Sequence, residues 1–410
     1  MALRKEDILP TTPKSLWRNR SFLLLWLSGF LGNFGFQIYS IVIPLLIYEM
    51  TQSPLAMSGM RIMEFLPNVL LGMVAGVIVD RMHRKKIMLI TVGLQWLAVT
   101  CILFLLITQM VAMWSLFLLG FLFSSSGYFK ANATHSALPQ IVRREQLTEA
   151  NSKMGFTDTL VRTIGPGVAG ALIAISSFTG TLTVQFVCMT LVVLTVCFIH
   201  ISPAPPRPKS IGFIADMKEG IHELFQNKTL LTPTVAVIFQ NFASSMVMGV
   251  LIFFSVDQLG SSEADVGLMI SLGGIGGLLG ALLVKRLSLR ISRGKLYTYT
   301  QLGEVMGYAI LLIAQAWWMI GISLAIRTFA ITISNILYFS IRQEFTPNHL
   351  LGRVAGTSSM MMKLATPLGL FAAGLWAEYF SIRVLFIFTI CISITIFCVL
   401  IRTTFYRVVK

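Results

Sequence analysis

The chain has 410 residues, of which 55% are apolar and only 12% are charged, whereas about a quarter of the residues in a typical soluble domain are charged. The mean hydropathy is +0.79, which argues against a soluble enzyme, a nucleic-acid-binding module and a disordered protein. The net charge of +15 is interpreted as basic residues in the cytoplasmic loops of a membrane protein rather than as a nucleic-acid-binding surface.

Apolar stretches long enough to cross a bilayer as helices recur along the whole chain. They lie at 21–48, 55–80, 86–108, 111–135, 152–176, 181–201, 230–257, 264–286, 296–315, 317–341, 354–378 and 381–402. Helices satisfy their own backbone hydrogen bonds in lipid, and a barrel would need alternating polarity, which these stretches lack. The sequence therefore predicts an all-α membrane protein with twelve transmembrane helices.

Basic residues occur in alternate loops between these stretches. Arg143 and Arg144, for example, follow the fourth stretch, whereas the loops around Thr51 and Gln109 hold no Lys or Arg. Because Lys and Arg collect on the cytoplasmic side, this alternation predicts a multi-pass protein of the cytoplasmic membrane with both termini in the cytoplasm.

The two halves of the chain resemble each other. At a constant offset of 208 residues the matched pairs are Asn33 and Asn241, Glu49 and Asp257, Gly59 and Gly267, Gly72 and Gly280, and Pro139 and Pro347. The proline-rich, amphipathic segment 202–229 separates the halves. The pattern predicts a duplicated six-helix unit: an N-terminal bundle at 1–201, a cytoplasmic linker with an amphipathic helix at 202–229, and a C-terminal bundle at 230–410.

The loop after the second stretch carries a recognisable motif. It reads Gly76-Val-Ile-Val-Asp80-Arg81-Met-His83-Arg84-Lys-Lys and resembles the signature loop of the major facilitator superfamily, with His83 in place of the second glycine. Residues 138–151, 216–220 and 347–356 resemble the macrolide-efflux-like branch, the third drug:proton antiporter family.

The resemblance implies the major facilitator fold, in which two pseudo-symmetric six-helix bundles rock about a central site. In that superfamily the aspartate of the signature loop is a latch to the eleventh helix. The residues Gly76, Asp80, Arg81 and Arg84 are therefore a candidate conformational latch. The alternative is that the basic residues only anchor the loop on the cytoplasmic side.

The fifth stretch carries Gly165-Pro166-Gly167-Val-Ala169-Gly170, which resembles the Gly-Pro-x-x-Gly-Gly antiporter motif with Ala169 at the first position of the closing pair. We expect a helix kink and close packing there. Ordinary close packing would explain the same residues, although the motif favours export. Many antiporters also carry an arginine in the fourth helix, where this chain has only Lys130, so the proton-relay role of that arginine does not carry over.

Ionisable residues inside the stretches are the strongest local signals of function. Arg61 and Glu64 are spaced i,i+3, and Asp158 and Arg162 are spaced i,i+4, so each pair shares one helix face. Glu64 and Asp158 are the proton-coupling candidates. Glu64 leads, because desolvation favours its neutral acid while the neighbouring guanidinium favours its carboxylate.

The remaining polar and cationic residues of the stretches are candidates for lining the substrate cavity. They are Asn33, Gln37, Arg61, Arg162, Gln240, Asn241, Arg327 and Lys363. Two alternatives remain open. The charged residues could form internal ion pairs that only fix packing, Arg327 with Glu304 for instance, and the amides could join helices to one another.

The sequence contains no P-loop for ATP, no serine nucleophile motif and no paired metal ligands. We therefore expect no enzyme activity, metal or cofactor, with protons as the coupling ion and the small-molecule substrate and lipid bilayer as partners. The predicted function is secondary active transport by a monomer: proton-coupled efflux of a lipophilic drug or a siderophore-like metabolite. A facilitator or flippase for an amphipathic anion is the alternative, because the embedded cations outnumber the embedded acids. A non-transporting membrane sensor is a further one.

Overall fold

The computed structural model describes residues 15–71, 82–201, 213–347 and 350–408, and these residues form helices and the connections between them, with no strand. The long helices are α1 (Arg20–Thr51), α2 (Pro54–Leu70), α3 (Arg84–Ile107), α4 (Met113–Ile141), α5 (Leu147–Ser176), α6 (Phe178–Phe198), α8 (Lys228–Phe253), α9 (Glu263–Ser288), α10 (Arg293–Leu312), α11 (Trp317–Phe345), α12 (Leu351–Tyr379) and α13 (Ile382–Arg402). Two shorter helices are α7 (Phe213–Gln226) and α14 (Thr404–Val408).

In the described part of the chain, nine of the long helices are long and apolar enough to cross a membrane. The other three are α2, whose described part has 17 residues, and the helices α4 and α10. Large apolar side chains such as Phe104, Leu118 and Leu282 are 62% to 74% exposed. Such a surface is expected where a helix faces lipid rather than water. The chain is thus a multi-pass, all-α membrane protein.

The ends of several helices are set by local sequence. The Asn19 side chain accepts a hydrogen bond from the backbone of Phe22 at the start of α1, and Ser53 caps α2 ahead of Pro54. Ser262 and Asp265 form a reciprocal capping box at the start of α9. These side chains satisfy backbone N–H groups that a helix start leaves without partners.

The two halves, α1–α6 and α8–α13, have the same order of helices. The first helix of each half, α1 or α8, packs on the fifth and sixth helices of its own half. The helix starts at Arg20 and Lys228 are 208 residues apart, which is the offset of the repeat in the sequence. Between the halves, α5 packs on α9 and α2 packs on α12.

The crossing of α5 and α9 brings the two backbones into contact. A methyl group added to Gly170 would lie 2.6 Å from the carbonyl oxygen of Glu263, and one added to Gly267 would collide with the carbonyl of Pro166. The backbone N–H of Gly167 also donates to Ser271 Oγ at 2.8 Å. Small residues are what permit helices to approach this closely in a membrane.

One end of the interface between the halves is closed. Tyr48 donates to Asp257 at 3.2 Å, and Ser58 donates to the carbonyl of Gly249 at 3.0 Å. Towards the other end the halves separate, because Gly155 of α5 lines the gap between them and a methyl group added there would meet no atom within 4 Å. The molecule is therefore open at the end where α1 begins and closed at the end where α1 finishes.

The helix α7 joins the halves and packs on the start of α12. Its Glu219 forms an ion pair with Arg353, and Gly220 lies against the carbonyl of Arg353. Leu224 is buried in a small cluster with Leu350 and Val354 among others. The linker helix is thus fastened to the C-terminal half.

Candidate functional site

A cavity of about 880 Å³ lies between the two halves. Helices α1, α2, α4 and α5 form most of its wall, while α3, α8 and α12 contribute the rest. Its aromatic lining consists of Trp26, Phe30, Phe36, Phe65, Phe123 and Tyr128. The ionisable side chains on its wall are Arg61, Glu64, Lys130, His135, Asp158 and Arg162. An apolar cavity with a few placed polar groups is the usual form of a small-molecule site.

The ion pair on α2 depends on a proline in α1. Arg61 Nη1 donates to Glu64 Oε2 at 3.0 Å, and Arg61 Nη2 donates to the carbonyl of Ser40 at 3.0 Å. Ser40 is four residues before Pro44, which has no N–H to donate to that carbonyl. The guanidinium therefore takes the place of a missing helix hydrogen bond, and this fixes its position on the cavity wall.

The second ion pair lies on α5. Arg162 Nε donates to Asp158 Oδ2 at 3.1 Å, and the Asn33 amide of α1 donates to Asp158 Oδ1. Both carboxylate oxygens of Asp158 thus have partners. The Arg162 side chain is 71% exposed, so most of its guanidinium faces the open part of the cavity.

Lys130 of α4 lies beside α1 at Gly32. A methyl group added to Gly32 would be 2.5 Å from Lys130 Nζ, so the absence of a side chain there is what gives the ammonium group its space. Lys363 of α12 lies over the ring of Tyr128 at 6.0 Å, on the opposite side of the gap between the halves.

The charge on the cavity wall belongs to one half. The C-terminal half contributes Asn241, Ser244, Ser245, Met248, Thr366 and Leu370, none of which is ionisable. At the offset of 208 residues, Asp158 corresponds to Thr366 and Arg162 to Leu370. All four of these residues line the cavity, so equivalent positions carry an ion pair in the N-terminal half and neutral side chains in the other.

Two of the residues predicted to line the cavity lie behind its wall instead. Arg327 Nε donates to Glu304 Oε2 at 3.2 Å, with the two side chains only 2% and 1% exposed. Gln240 donates to Glu304 Oε1 at 3.2 Å. Arg327 Nη2 also donates to Ser244 Oγ and to the Tyr308 hydroxyl. The physical reason is that a buried charge needs a partner, and Glu304 offers one within the bundle.

Gln37 also faces away from the cavity, since its Cβ and Cγ pack against Gly165 of α5. Asn33, Arg61, Arg162 and Asn241 line the cavity, and Asn241 donates to the carbonyl of Met362. In each half, therefore, the repeated asparagine joins the first helix to the fifth, Asn33 to Asp158 and Asn241 to Met362.

Residues 11–408 match the family described as transmembrane secretion effector, within the major facilitator superfamily. The chain belongs to this family. It is 24% identical over 388 residues to macrolide efflux protein A of Streptococcus pyogenes, covering 93% of this chain and 96% of the relative. It is 24% identical over 350 residues to the enterobactin exporter EntS of Salmonella typhimurium, covering 82% and 80%.

Solved structures of the superfamily share the fold. A nucleoside transporter NupG variant superposes with a TM-score of 0.78 at 11% identity, covering 93% of this chain and 99% of that one. A bacterial homologue of the iron transporter ferroportin, in an inward-facing state, superposes with a TM-score of 0.76 at 16% identity, covering 95% and 99%. The chain is therefore a membrane transporter of the major facilitator superfamily and not an enzyme.

The other motif residues fall in two regions of this transporter. Gly76, Asp80 and Arg81 lie outside the described residues, and Arg84 begins α3. The motif Gly165, Pro166, Gly167 and Gly170 lies within α5, where Gly167 and Gly170 make the crossing with α9. The latch thus stays a prediction.

Several cavity residues were not singled out as site candidates from the sequence, namely Gln95, Lys130, His135 and Ser244. Lys130 is the one Lys or Arg in α4. The sequence does contain a feature that could have identified Lys130 as a cavity residue, because an ionisable residue well inside a spanning helix usually faces the bundle interior or a water-filled cavity. Among the described residues no cluster of His, Cys, Asp or Glu could hold a metal ion.

Proposed function

We propose that this transporter exports a lipophilic or amphipathic small molecule from the cell by alternating access, in exchange for protons. The carrying observation is the cavity between the halves, which combines an aromatic lining with two ion pairs inside spanning helices. With both termini in the cytoplasm, as the basic loops indicate, the open end of this cavity faces the cytoplasm and is ready to load.

The class of substrate follows from size and from the relatives. A cavity of about 880 Å³ lies in the upper range for drug-sized ligands. The relatives are named for export of macrolides and of enterobactin, which are bulky organic compounds. A large lipophilic drug or a siderophore-like metabolite is therefore the proposed cargo.

Glu64 is the proposed proton-coupling group. Its Oε2 accepts from Arg61, but its Oε1 is buried with no hydrogen-bond partner among the described residues. A proton can therefore bind Oε1 without displacing an existing donor. Asp158 differs because both of its oxygens accept hydrogen bonds, which favour its carboxylate form over the protonated acid. That arrangement suits a structural pair.

The test is transport into inside-out vesicles, with a radiolabelled macrolide and enterobactin as probes and with an imposed or collapsed pH gradient. Wild type should accumulate at least one probe only with the gradient. Glu64→Gln mimics the protonated acid and should abolish uphill accumulation while leaving downhill exchange. Asp158→Asn, the matched control carboxylate, should keep gradient-driven accumulation if the fold survives.

Proton release from purified protein in detergent gives a second measurement. Addition of the transported probe should release protons from wild type and from Asp158→Asn but not from Glu64→Gln. Equal release from wild type and Glu64→Gln would remove Glu64 from this role. Accumulation that does not depend on the pH gradient would instead indicate a facilitator or flippase. Absence of transport for every amphipathic probe would favour a membrane sensor.

A further inference from the structure

Lys130 carries a positive charge that nothing in the described chain neutralises. It lies in the second half of α4 and lines the cavity. No hydrogen bond, ion pair or ring contact joins it to any residue that the structure describes. A cation inside a spanning helix is costly, and such residues normally pair with each other or with backbone carbonyls. Lys130 has no such partner among the described residues.

The other charges of the cavity do not supply a counter-charge. Glu64 is bound by Arg61 and Asp158 by Arg162. Three cations and two carboxylates therefore face the cavity, counting Arg61, Arg162 and Lys130 as positive. The excess on the cavity wall is one positive charge, since Lys363 lies outside this lining, over the ring of Tyr128. An occupant with a negative charge would complete the site.

A glycine on the neighbouring helix determines where the Lys130 ammonium group lies. Gly32 opens the space on α1 that Lys130 Nζ occupies, and Gly32 also lines the cavity. The rings of Trp26, Phe30 and Tyr128 lie on the same walls, α1 and α4. An ammonium group beside an aromatic surface matches a molecule with an acidic group attached to rings.

We propose that Lys130 binds the acidic group of the transported molecule, and that the substrate class is an aromatic organic anion carrying a carboxylate or phenolate. This inference rests on the cavity being the transport site of the proposed function, and it narrows the cargo to anions. An anionic lipid headgroup has the same charge, and the experiment separates the two sources.

The test is equilibrium binding to the full-length protein, purified in an uncharged detergent. The probes are pyrenebutyrate and the amine with the same ring and chain length, which differ only in charge. Energy transfer from tryptophan to pyrene reports binding, and Trp26→Phe shows how much of the signal comes from the cavity wall. Wild type should bind the anion at least about tenfold more tightly than the amine, as expected for one charge-assisted hydrogen bond.

Lys130→Met keeps the length of the side chain and removes its charge. It should weaken pyrenebutyrate binding by about tenfold or more and leave amine binding unchanged or tighter, while Lys130→Arg should retain anion binding. Gly32→Ala should weaken anion binding as well, because the added methyl group displaces Nζ. Lys285→Met, on an exposed turn of α9 outside the cavity, is the matched control and should bind both probes as wild type does.

The stability of the variants separates a binding role from a structural one. Lys130→Met breaks no described hydrogen bond or ion pair, so its melting temperature should equal or exceed that of wild type, whereas loss of a structural cation would lower it. The proposal is overturned if Lys130→Met and Gly32→Ala both bind pyrenebutyrate as wild type does, or if anion and amine weaken equally. If phosphatidylglycerol added to the nanodiscs abolishes the binding of pyrenebutyrate, the site binds a lipid headgroup and the soluble anion is overturned as its occupant. Because binding needs no gradient, failure of proton coupling would leave this result unaffected.

Discussion

The buried ion pair between Glu304 and Arg327 gives a prediction whose size can be worked from the structure. Arg327→Gln removes a guanidinium that donates to Glu304, Ser244 and Tyr308. Glu304 is then left as a buried carboxylate without a cationic partner, although Gln240 still donates to it. Removing one partner of a buried pair costs about 3–5 kcal/mol, because the other charge stays in the low-dielectric interior.

The same two helices carry a matched control. Arg293 of α10 pairs with Glu344 of α11 at 2.5 Å, but these side chains are 29% and 49% exposed. Water solvates either group when its partner is lost, so Arg293→Gln should cost less than about 1 kcal/mol. We therefore expect a difference of several kcal/mol between two arginine-to-glutamine changes on adjoining helices.

The assay is reversible unfolding of the purified protein in mixed micelles, with single variants Arg327→Gln and Glu304→Gln and the double variant. The double variant should be more stable than the sum of the single losses predicts, by about 2 kcal/mol or more. Additive losses, or an Arg327→Gln protein as stable as the Arg293→Gln control, would refute the ion pair as a stabilising unit. Normal stability with an altered substrate preference would place Arg327 on the cavity.

Two further predictions concern the crossing of α5 and α9 and the signature loop. Gly267→Leu should force α5 and α9 apart at the closed end, lengthen the distance between spin labels at positions 48 and 257, and stop transport. The control is Gly93→Leu, at a position where an added methyl group would meet no atom within 4 Å. It should change neither the distance between the spin labels nor transport. Asp80→Asn should abolish transport while expression and ligand binding stay near normal, and an unchanged transport rate would reduce the signature loop to a signal for topology.

Hydropathy predicted the apolar helices well because lipid contact selects apolar residues along their whole length. The stretches at 86–108 and 381–402 became Arg84–Ile107 and Ile382–Arg402. The prediction for 111–135 ended early, since α4 continues to Ile141. The residues that the prediction omits, 136–141, include Ser136, Pro139 and Gln140, so hydropathy falls there while the helix continues.

Helix periodicity predicted the pairs of site residues that lie on one helix, but not the contacts between helices. The spacings of Arg61 with Glu64 and of Asp158 with Arg162 identified the pairs that the structure shows. Spacing cannot say whether a face points to the cavity or to a neighbouring helix. Arg327 therefore belongs to a buried network that Glu304 completes from another helix, while the contact of Lys130 with α1 depends on Gly32, about one hundred residues away.

The neutral cavity residues of the C-terminal half show how the charged residues of the N-terminal half could be replaced. Thr366 and Leu370 show which side chains this helix geometry accepts at the positions that Asp158 and Arg162 occupy in the other copy. Replacing the pair together, Asp158→Thr with Arg162→Leu, would copy the combination that the C-terminal half carries at the equivalent positions. The duplication thus provides a double substitution that removes both charges of the ion pair and uses side chains that the same fold already accepts at equivalent positions.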